Sequence, residues 1–373
     1  MSRYSALPVE DAKINEAFAA FVAALLEKKV VSAVMVPAKQ AHGPAVFQTL
    51  ISDAAEAKCV DPLAPVAPVS SASELAKLTR KNTGKKLAAF LRPCEMRGYL
   101  ELVKLNQATL DNLLLIGMDC FGRFENKNFV DSLAAKENGT LEYLKMQGED
   151  DGIVNSCKMC VNPVAENVDM RLQVFGHDPE KSFGIEAVSE DGEKALGAMG
   201  YESADAPAGR DEFIATLTEK RKEVRQKQQA ELQERVGSLK GLAEVLTNCV
   251  NCYNCRNACP VCYCRECVFM TDTFLHDSQQ FFSWSAKHGS LRMPTDTLMY
   301  HLTRFAHIST LCVGCGQCSS ACPNDIPVAE IVQLVGEGTQ AVFGYVPGHS
   351  VSEAQPLATF LDDELMHVTG QVK

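Results

Sequence analysis

The stretch Cys249-Val250-Asn251-Cys252-Tyr253-Asn254-Cys255-Arg256-Asn257-Ala258-Cys259-Pro260 is matched by Cys312-Val313-Gly314-Cys315-Gly316-Gln317-Cys318-Ser319-Ser320-Ala321-Cys322-Pro323. Both read Cys-x2-Cys-x2-Cys-x3-Cys-Pro. The close Cys-x2-Cys turns let three thiolates of one run cap three corners of one iron–sulfur cubane. Paired zinc knuckles or disulfides are the competing reading. Zinc needs only two Cys-x2-Cys pairs and gives no reason for the third cysteine and the trailing proline. The stretch therefore reads as the seat of two [4Fe–4S] clusters.

The doubled spacing resembles that of bacterial two-cluster ferredoxins, in which the fourth cysteine of each run ligates the other cluster. The resemblance assigns Cys249, Cys252, Cys255 and Cys322 to one cluster. It assigns Cys312, Cys315, Cys318 and Cys259 to the other. About fifty residues separate the two runs, about twice the separation in small ferredoxins. Leu298 to Ile308 and Ile326 to Val335 have helical apolar spacing, so this part resembles the mostly helical ferredoxin domains of multi-subunit oxidoreductases. Phe281, Phe282 and Trp284 are expected in its core.

The 373 residues allow two or three domains, and 46% hydrophobic with 22% charged residues is an ordinary globular composition. Sixteen cysteines without a secretory signal point to a reducing compartment, the cytoplasm. A formal charge of −11 argues against nucleic acid as partner. No apolar run approaches the ~20 residues of a membrane span.

Upstream, the residues read as an α/β unit. Val9 to Lys29 is helical, and Val30 to Val36 is a strand ending at Pro37. Ser71-x-x-Glu74 is a capping box that opens a short helix. The strand Leu87 to Leu91 leads into Arg92-Pro93-Cys94-Glu95-Met96-Arg97-Gly98 and a helix to about Leu105. The strand Leu113 to Gly117 leads into Met118-Asp119-Cys120. Strand, helix, strand suggests a parallel βαβ unit, whose ligands gather at the C-terminal strand ends, where Cys94 and Cys120 fall. Cys157-x2-Cys160 follows on a loop, before Val168 to Phe175, which alternates like a strand. A third [4Fe–4S] cluster on Cys94, Cys120, Cys157 and Cys160 is the expectation. The alternative is a pair of buried free thiols and half a zinc knuckle. A helix start should also favour the Cys94 thiolate.

Three further cysteines, Cys262-x-Cys264-x2-Cys267, are not needed by either ferredoxin cluster. They are packed thiols, or they replace some of the third cluster's ligands. Cys59 reads as an ordinary buried cysteine. Asp211 to about Leu246 is a long charged helix, read as a solvated connector. Gly336-x-Gly338-x2-Ala341 matches a dinucleotide fingerprint formally but follows a helix rather than a strand, and is rejected.

The order Ala67-Pro68-Val69, Leu87 to Leu91, Arg92-Pro93-Cys94, Ile116-Gly117-Met118-Asp119-Cys120, Cys157-Lys158-Met159-Cys160 and Val168-Asp169-Met170 carries a second resemblance. It resembles the β-subunit family of deazaflavin-coenzyme-reducing hydrogenases and formate dehydrogenases, over about residues 20 to 190. With the ferredoxin segment, the formate dehydrogenase β subunits are nearer. The resemblance implies one FAD beside a [4Fe–4S] cluster, and hydride exchange with a soluble deazaflavin. A flavin also follows from chemistry, because it joins one-electron clusters to two-electron carriers. Arg92 and Arg97 flank a helix N-terminus at a strand end, a suitable cradle for pyrophosphate. Pro93, Glu95, Gly98 and Asp119 complete the expected FAD site.

The expectation is thus a mixed α/β flavin-binding domain over 1–205, with FAD and the third cluster. A helical connector (206–246), a mostly helical two-cluster ferredoxin domain (247–340) and a C-terminal tail (341–373) follow. The chain would be an oxidoreductase subunit with no catalytic residue of its own. Its substrate-oxidising site would lie on a partner, a catalytic subunit of formate dehydrogenase or hydrogenase type. The alternatives are a flavin-free iron–sulfur wire, or an NAD(P)-linked or heterodisulfide-reductase-linked subunit on the same scaffold.

Overall fold

A computed structural model of the protein describes residues 3–136 and 138–358. Its centre is a seven-stranded mixed sheet in the order β1-β7-β6-β5-β4-β2-β3. The strands are β1 (Arg3–Pro8), β2 (Ala33–Lys39), β3 (Val46–Ile51), β4 (Leu87–Leu91), β5 (Leu113–Met118), β6 (Met170–Gln173) and β7 (Ser182–Ala187). The middle is parallel: β2, β4, β5 and β6 run the same way. The edges are antiparallel, β3 against β2 and β1 with β7 against β6. The α/β reading holds, and the region that carries the ferredoxin-like runs is helical.

Because side chains alternate along a strand, the central strands bury both faces. Val34, Val36, Ala88, Phe90, Leu114 and Ile116 face helix α1 (Ile14–Glu27), which contributes Phe18, Phe21, Val22 and Leu25 to the same core. Met35, Ala89, Leu91, Leu113 and Leu115 face the other way, toward α2 (Ser71–Thr79) and α3 (Pro93–Lys104). A separate core gathers Leu242, Leu246, Tyr300, Phe305, Ile308, Ile326, Val328 and Ile331 around the cysteine runs.

Several local expectations change. β2 passes through Pro37 instead of ending there. Its parallel pairing with β4 stops at Met35, so the missing N–H costs no ladder bond on that side. Ser71 is not a cap: helix α2 begins after Ser70, and the Ser71 backbone N–H and hydroxyl both turn to the Glu95 carboxylate. The charged helix runs Arg210–Val236 and stops at Gly237, and Ser238 caps a second short helix, Leu239–Val245. The first buries only Arg221 and Leu232. The helix Val328–Phe343 runs straight through Gly336 and Gly338, so no strand-to-helix turn exists there.

Residues 345–355 return to α3. Glu101, fully buried, accepts from the Tyr345 hydroxyl (2.7 Å), the Gly348 backbone N–H (2.7 Å) and Gln355 Nε2 (2.7 Å). Nothing in the sequence of this tail signalled the contact.

Candidate functional site

Strand ends and one turn assemble the first thiol group. Cys94 is the second residue of α3, directly beyond β4. Cys120 lies two residues beyond β5, its backbone N–H donating to Pro163 O (2.9 Å). Cys157 and Cys160 bracket a tight turn, with the Cys160 N–H on Cys157 O (3.1 Å). The four are electrostatic neighbours. Burial, then Glu95, Cys315, Cys120 and Cys157, raises the Cys94 thiol well above its ordinary value. Burial and Cys157 push Cys120 up to about 12, while Arg92 and Arg221 pull it down. Burial raises Cys157 as well, against Arg123. The helix N-terminus therefore does not win at Cys94; removal from water outweighs it.

That electrostatic pattern suits a ligated anion. A thiol that binds a metal is deprotonated outright, and a buried negative group needs compensating charge. Arg92, Arg123 and Arg221, all buried, supply it. Arg221 reaches in from the long helix and donates to Cys160 O (3.5 Å). Sequence spacing gave no sign of Arg123 or Arg221, because each is brought in by tertiary packing.

The repeated runs bring their thiols into two further groups of neighbours. Cys249 has Cys252, Cys255 and Cys322 as neighbours. Cys318 has Cys259, Cys315 and Cys312. Arg304, itself buried, faces Cys318, Cys259 and Cys255, and so stands between the groups. Among the described residues its Nε and Nη1 have no hydrogen-bond partner. Tyr300 places its hydroxyl 3.2 Å from Cys255 Sγ, and His301 places Nε2 3.4 Å from Cys249 Sγ. Burial holds His301 down at about 4, so it is a neutral neighbour. Donors aimed at ligand sulfurs are a recognised means of setting a cluster's potential.

The middle group adjoins the first. Cys315 acts on Cys94, a Cβ at Gly98 would lie 3.4 Å from Pro260, and Arg123 Nη2 donates to Ser320 Oγ (2.7 Å). Gln317 Nε2 donates to Ala67 O (3.0 Å). All sixteen cysteines are free thiols, so the disulfide reading fails. Among the described residues no group of three or more His, Cys, Asp or Glu is set to hold a single metal ion.

The six residues expected to cradle FAD are otherwise engaged. Arg92 is buried and its Nη2 donates to Ala64 O and Val66 O, both at 2.7 Å. Glu95 accepts from the Arg92 N–H (2.9 Å) and from Ser71, closing the start of α3 that Pro93 begins. Arg97 Nε holds Pro347 O (2.8 Å). Asp119 accepts from the Val174 N–H (2.8 Å) and pairs with Arg210. Gly98 is covered by Pro260. These residues do not fit a pyrophosphate: both arginines face protein carbonyls. The helix start is instead built to hold α3, and Cys94 with it.

Elsewhere, Cys59 is half-exposed rather than buried, and its thiol donates to Glu56 O. Phe281, Phe282 and Trp284 lie on the helix Ser278–His288, which buries nothing; Phe282 is 73% exposed. The core expectation for them is wrong. Cys262, Cys264 and Cys267 line one cavity together with Arg256, Tyr300 and Arg304, while the thiols that act on Cys120 are Cys157 and Cys160.

Residues 245–326 match the 4Fe-4S dicluster domain family. The "F420-dependent formate dehydrogenase subunit beta" of Methanocaldococcus jannaschii is 26% identical over 297 residues, covering 71% of this chain and 74% of that protein. The "F420-dependent formate dehydrogenase 1 subunit beta" of Methanococcus maripaludis is 26% identical over 296 residues, 70% of this chain and 73% of that protein. A solved structure of the F420-reducing [NiFe] hydrogenase complex from Methanosarcina barkeri aligns with 61% of this chain and 91% of its own. The identity there is 13% and the TM-score 0.44. The resemblance read from the sequence is thus met by curated relatives that are oxidoreductase subunits, and a 4Fe-4S dicluster domain is present. Among the described residues no helix is long and apolar enough to cross a membrane.

Proposed function

We propose that this chain is the electron-transfer subunit of a multi-subunit oxidoreductase, with three [4Fe–4S] sites in series. The outer site is Cys249, Cys252, Cys255 and Cys322. The middle is Cys259, Cys312, Cys315 and Cys318, and the inner is Cys94, Cys120, Cys157 and Cys160. The carrying observation is that Cys315 neighbours Cys94 while Arg304 joins the outer and middle groups. Clusters bound there supply one-electron transfer. The chain's own part is to hold the thiols, neutralise them with guanidiniums and seal them from water. Cys252, in the outer group, is exposed, which makes that end the natural entry from a partner. The partner would carry the substrate-oxidising site, of formate dehydrogenase or hydrogenase type by likeness to the named relatives.

The domain division at about 205, 246 and 340 belongs to the same proposal. It is supported by the separate helical core around the cysteine runs. Metal analysis tests the whole. About twelve iron and twelve sulfide per chain are expected; about eight of each would remove the inner site, and zinc in place of iron would defeat all three.

The finer reading adds FAD and a soluble deazaflavin or NAD(P) carrier. Its support moves away from Arg92 and Arg97 to a cavity of about 400 Å3 that starts at Phe121, the residue after Cys120. Phe175 and Phe213 line it, with His177 and Lys145 as polar groups. Cavities of this size at C-terminal strand ends are where such folds take ligands. The flavin-free wire is the second reading, favoured by the internal engagement of the six expected residues. Acid extraction decides between them. About one flavin per chain, lost in Phe213→Ala with iron retained, supports the cavity; a cluster-replete protein without flavin supports the wire.

A further inference from the structure

Three thiols outside the twelve share a cavity of about 430 Å3 beside the ferredoxin-like core. Cys264 is exposed, and Cys262 and Cys267 are half-buried. Between Cys264 and Cys267 the chain bends at Arg265 and Glu266, a two-residue spacing that suits a reversible disulfide. The cavity touches both neighbouring thiol groups. Tyr300 lines it and reaches Cys255 Sγ, and Cys262 donates its backbone N–H to Cys259 O (3.3 Å). Arg304 lines it too, facing Cys255 and Cys259. Arg256 Nε and two Arg304 nitrogens there are buried with no hydrogen-bond partner among the described residues. Guanidinium groups lining the cavity suit an anionic ligand.

We propose that Cys264 and Cys267 are a redox-active dithiol that exchanges two electrons with the adjacent cluster sites, in a cavity open to a small anionic disulfide. The inference rests on the cluster reading above. Oxidation takes two electrons and two protons from the two thiols and forms one S–S bond. The electrons would leave singly, one to each of two oxidised clusters held on the Cys255 and Cys259 sides, and the protons would leave to solvent through the cavity. Reduction runs the other way. An external disulfide would be attacked by Cys264, its departing half leaving as a thiol, and the resulting mixed disulfide would be resolved by Cys267.

The test is an anaerobic reductive titration of the full, cluster-replete protein with titanium(III) citrate. At each potential, alkylation and mass spectrometry report the state of every cysteine. Cys264 and Cys267 should pass from disulfide-linked to doubly alkylated as a two-electron couple. The Cys264→Ser/Cys267→Ser variant should take up about two electrons fewer per chain with the same iron content. Glutathione disulfide added to the reduced protein should oxidise this pair and release glutathione, and the double variant should not do so. Equal electron uptake by the two proteins, with both cysteines alkylated at every potential, overturns the proposal. So does glutathione release that the double variant retains. Loss of iron from the variant also overturns it, because the thiols would then be cluster ligands. Wild-type protein that cannot be loaded with iron would instead defeat the cluster reading.

Discussion

The middle and inner thiol groups sit side by side and are built in opposite ways. Three of the four middle cysteines come from one short run with its own tight turns, and Arg304 is its principal cation. The inner group takes Cys94 from beyond β4, Cys120 from beyond β5 and the last two from a separate turn, with guanidiniums from three places. A run of closely spaced cysteines carries its geometry with it. A group assembled across a sheet exists only while the sheet holds its register. The inner site should therefore be the one that a remote change in the fold can remove.

The strongest way to break the comparison is Gly122→Val. Gly122 has φ +123°, and a Cβ there would sit 2.9 Å from Ile153 Cγ2 and 3.1 Å from Cys157 Cβ. The substitution should remove about four iron of about twelve and leave the other two spectroscopic signals intact. A proportional loss from all three would show that the groups are not independent. Next, Cys259→Ser sharpens the comparison from the other side. Although Cys259 belongs to the first run, the signal that changes should be that of the Cys312 group, as the proposed crossing of ligands requires. Electron paramagnetic resonance on single-run variants reads this directly.

Arg92→Ala comes third. It leaves Glu95 buried without its cation and two carbonyls without a donor, which should cost about 3 kcal/mol by urea unfolding. Flavin retention should follow stability rather than drop on its own. If the variant is as stable as wild type but loses flavin, the cradle reading of Arg92 returns.

The smallest effect is at Asp61. Burial raises its carboxyl, against Lys39, Thr140 and Asn15, which pull it down. A raised folded-state value means the native chain holds this proton more tightly. That contribution to stability is fully present below the ordinary value of 3.8 and fades as pH rises through the folded-state value. Asp61→Asn should therefore gain on wild type as the pH rises, with thermal melts at matched pH values as the measurement. A gain that grows as pH falls would reverse the sign.

What could be read in advance divides along the same line. The two cysteine runs were legible because their close spacing brings three thiols of each run together, while the place of the fourth rested on the resemblance to ferredoxins. Cys94 and Cys120 were legible as strand-end residues, because alternating apolar strands locate the end of a parallel sheet. Arg123 and Arg221 were not, since a lone arginine in a loop or on a charged helix carries no periodic mark. Arg92 was misread for a related reason. A cation at a helix start fits both an incoming anion and the carboxylate that closes its own first turn. Only the neighbours, Glu95 and the Ala64 and Val66 carbonyls, decide between them. The Phe281, Phe282 and Trp284 cluster looked like core because aromatic composition does not reveal whether a helix has anything to lie against.

Glu101 has a consequence in time. Its carboxylate is buried in α3, the helix that begins with Cys94's turn, yet its hydroxyl and amide partners come from Tyr345, Gly348 and Gln355, the last 254 positions further along. At about 5–20 residues per second, a ribosome needs roughly ten seconds to a minute to supply them. Through that interval the nascent helix carries an acid with nowhere dry to go, and the seat of Cys94 stays loose. Iron delivered early would meet an unfinished socket. If the inner site holds a cluster as proposed, its assembly would wait for the segment that carries Tyr345, Gly348 and Gln355, and a polypeptide cut short before residue 345 would not keep it.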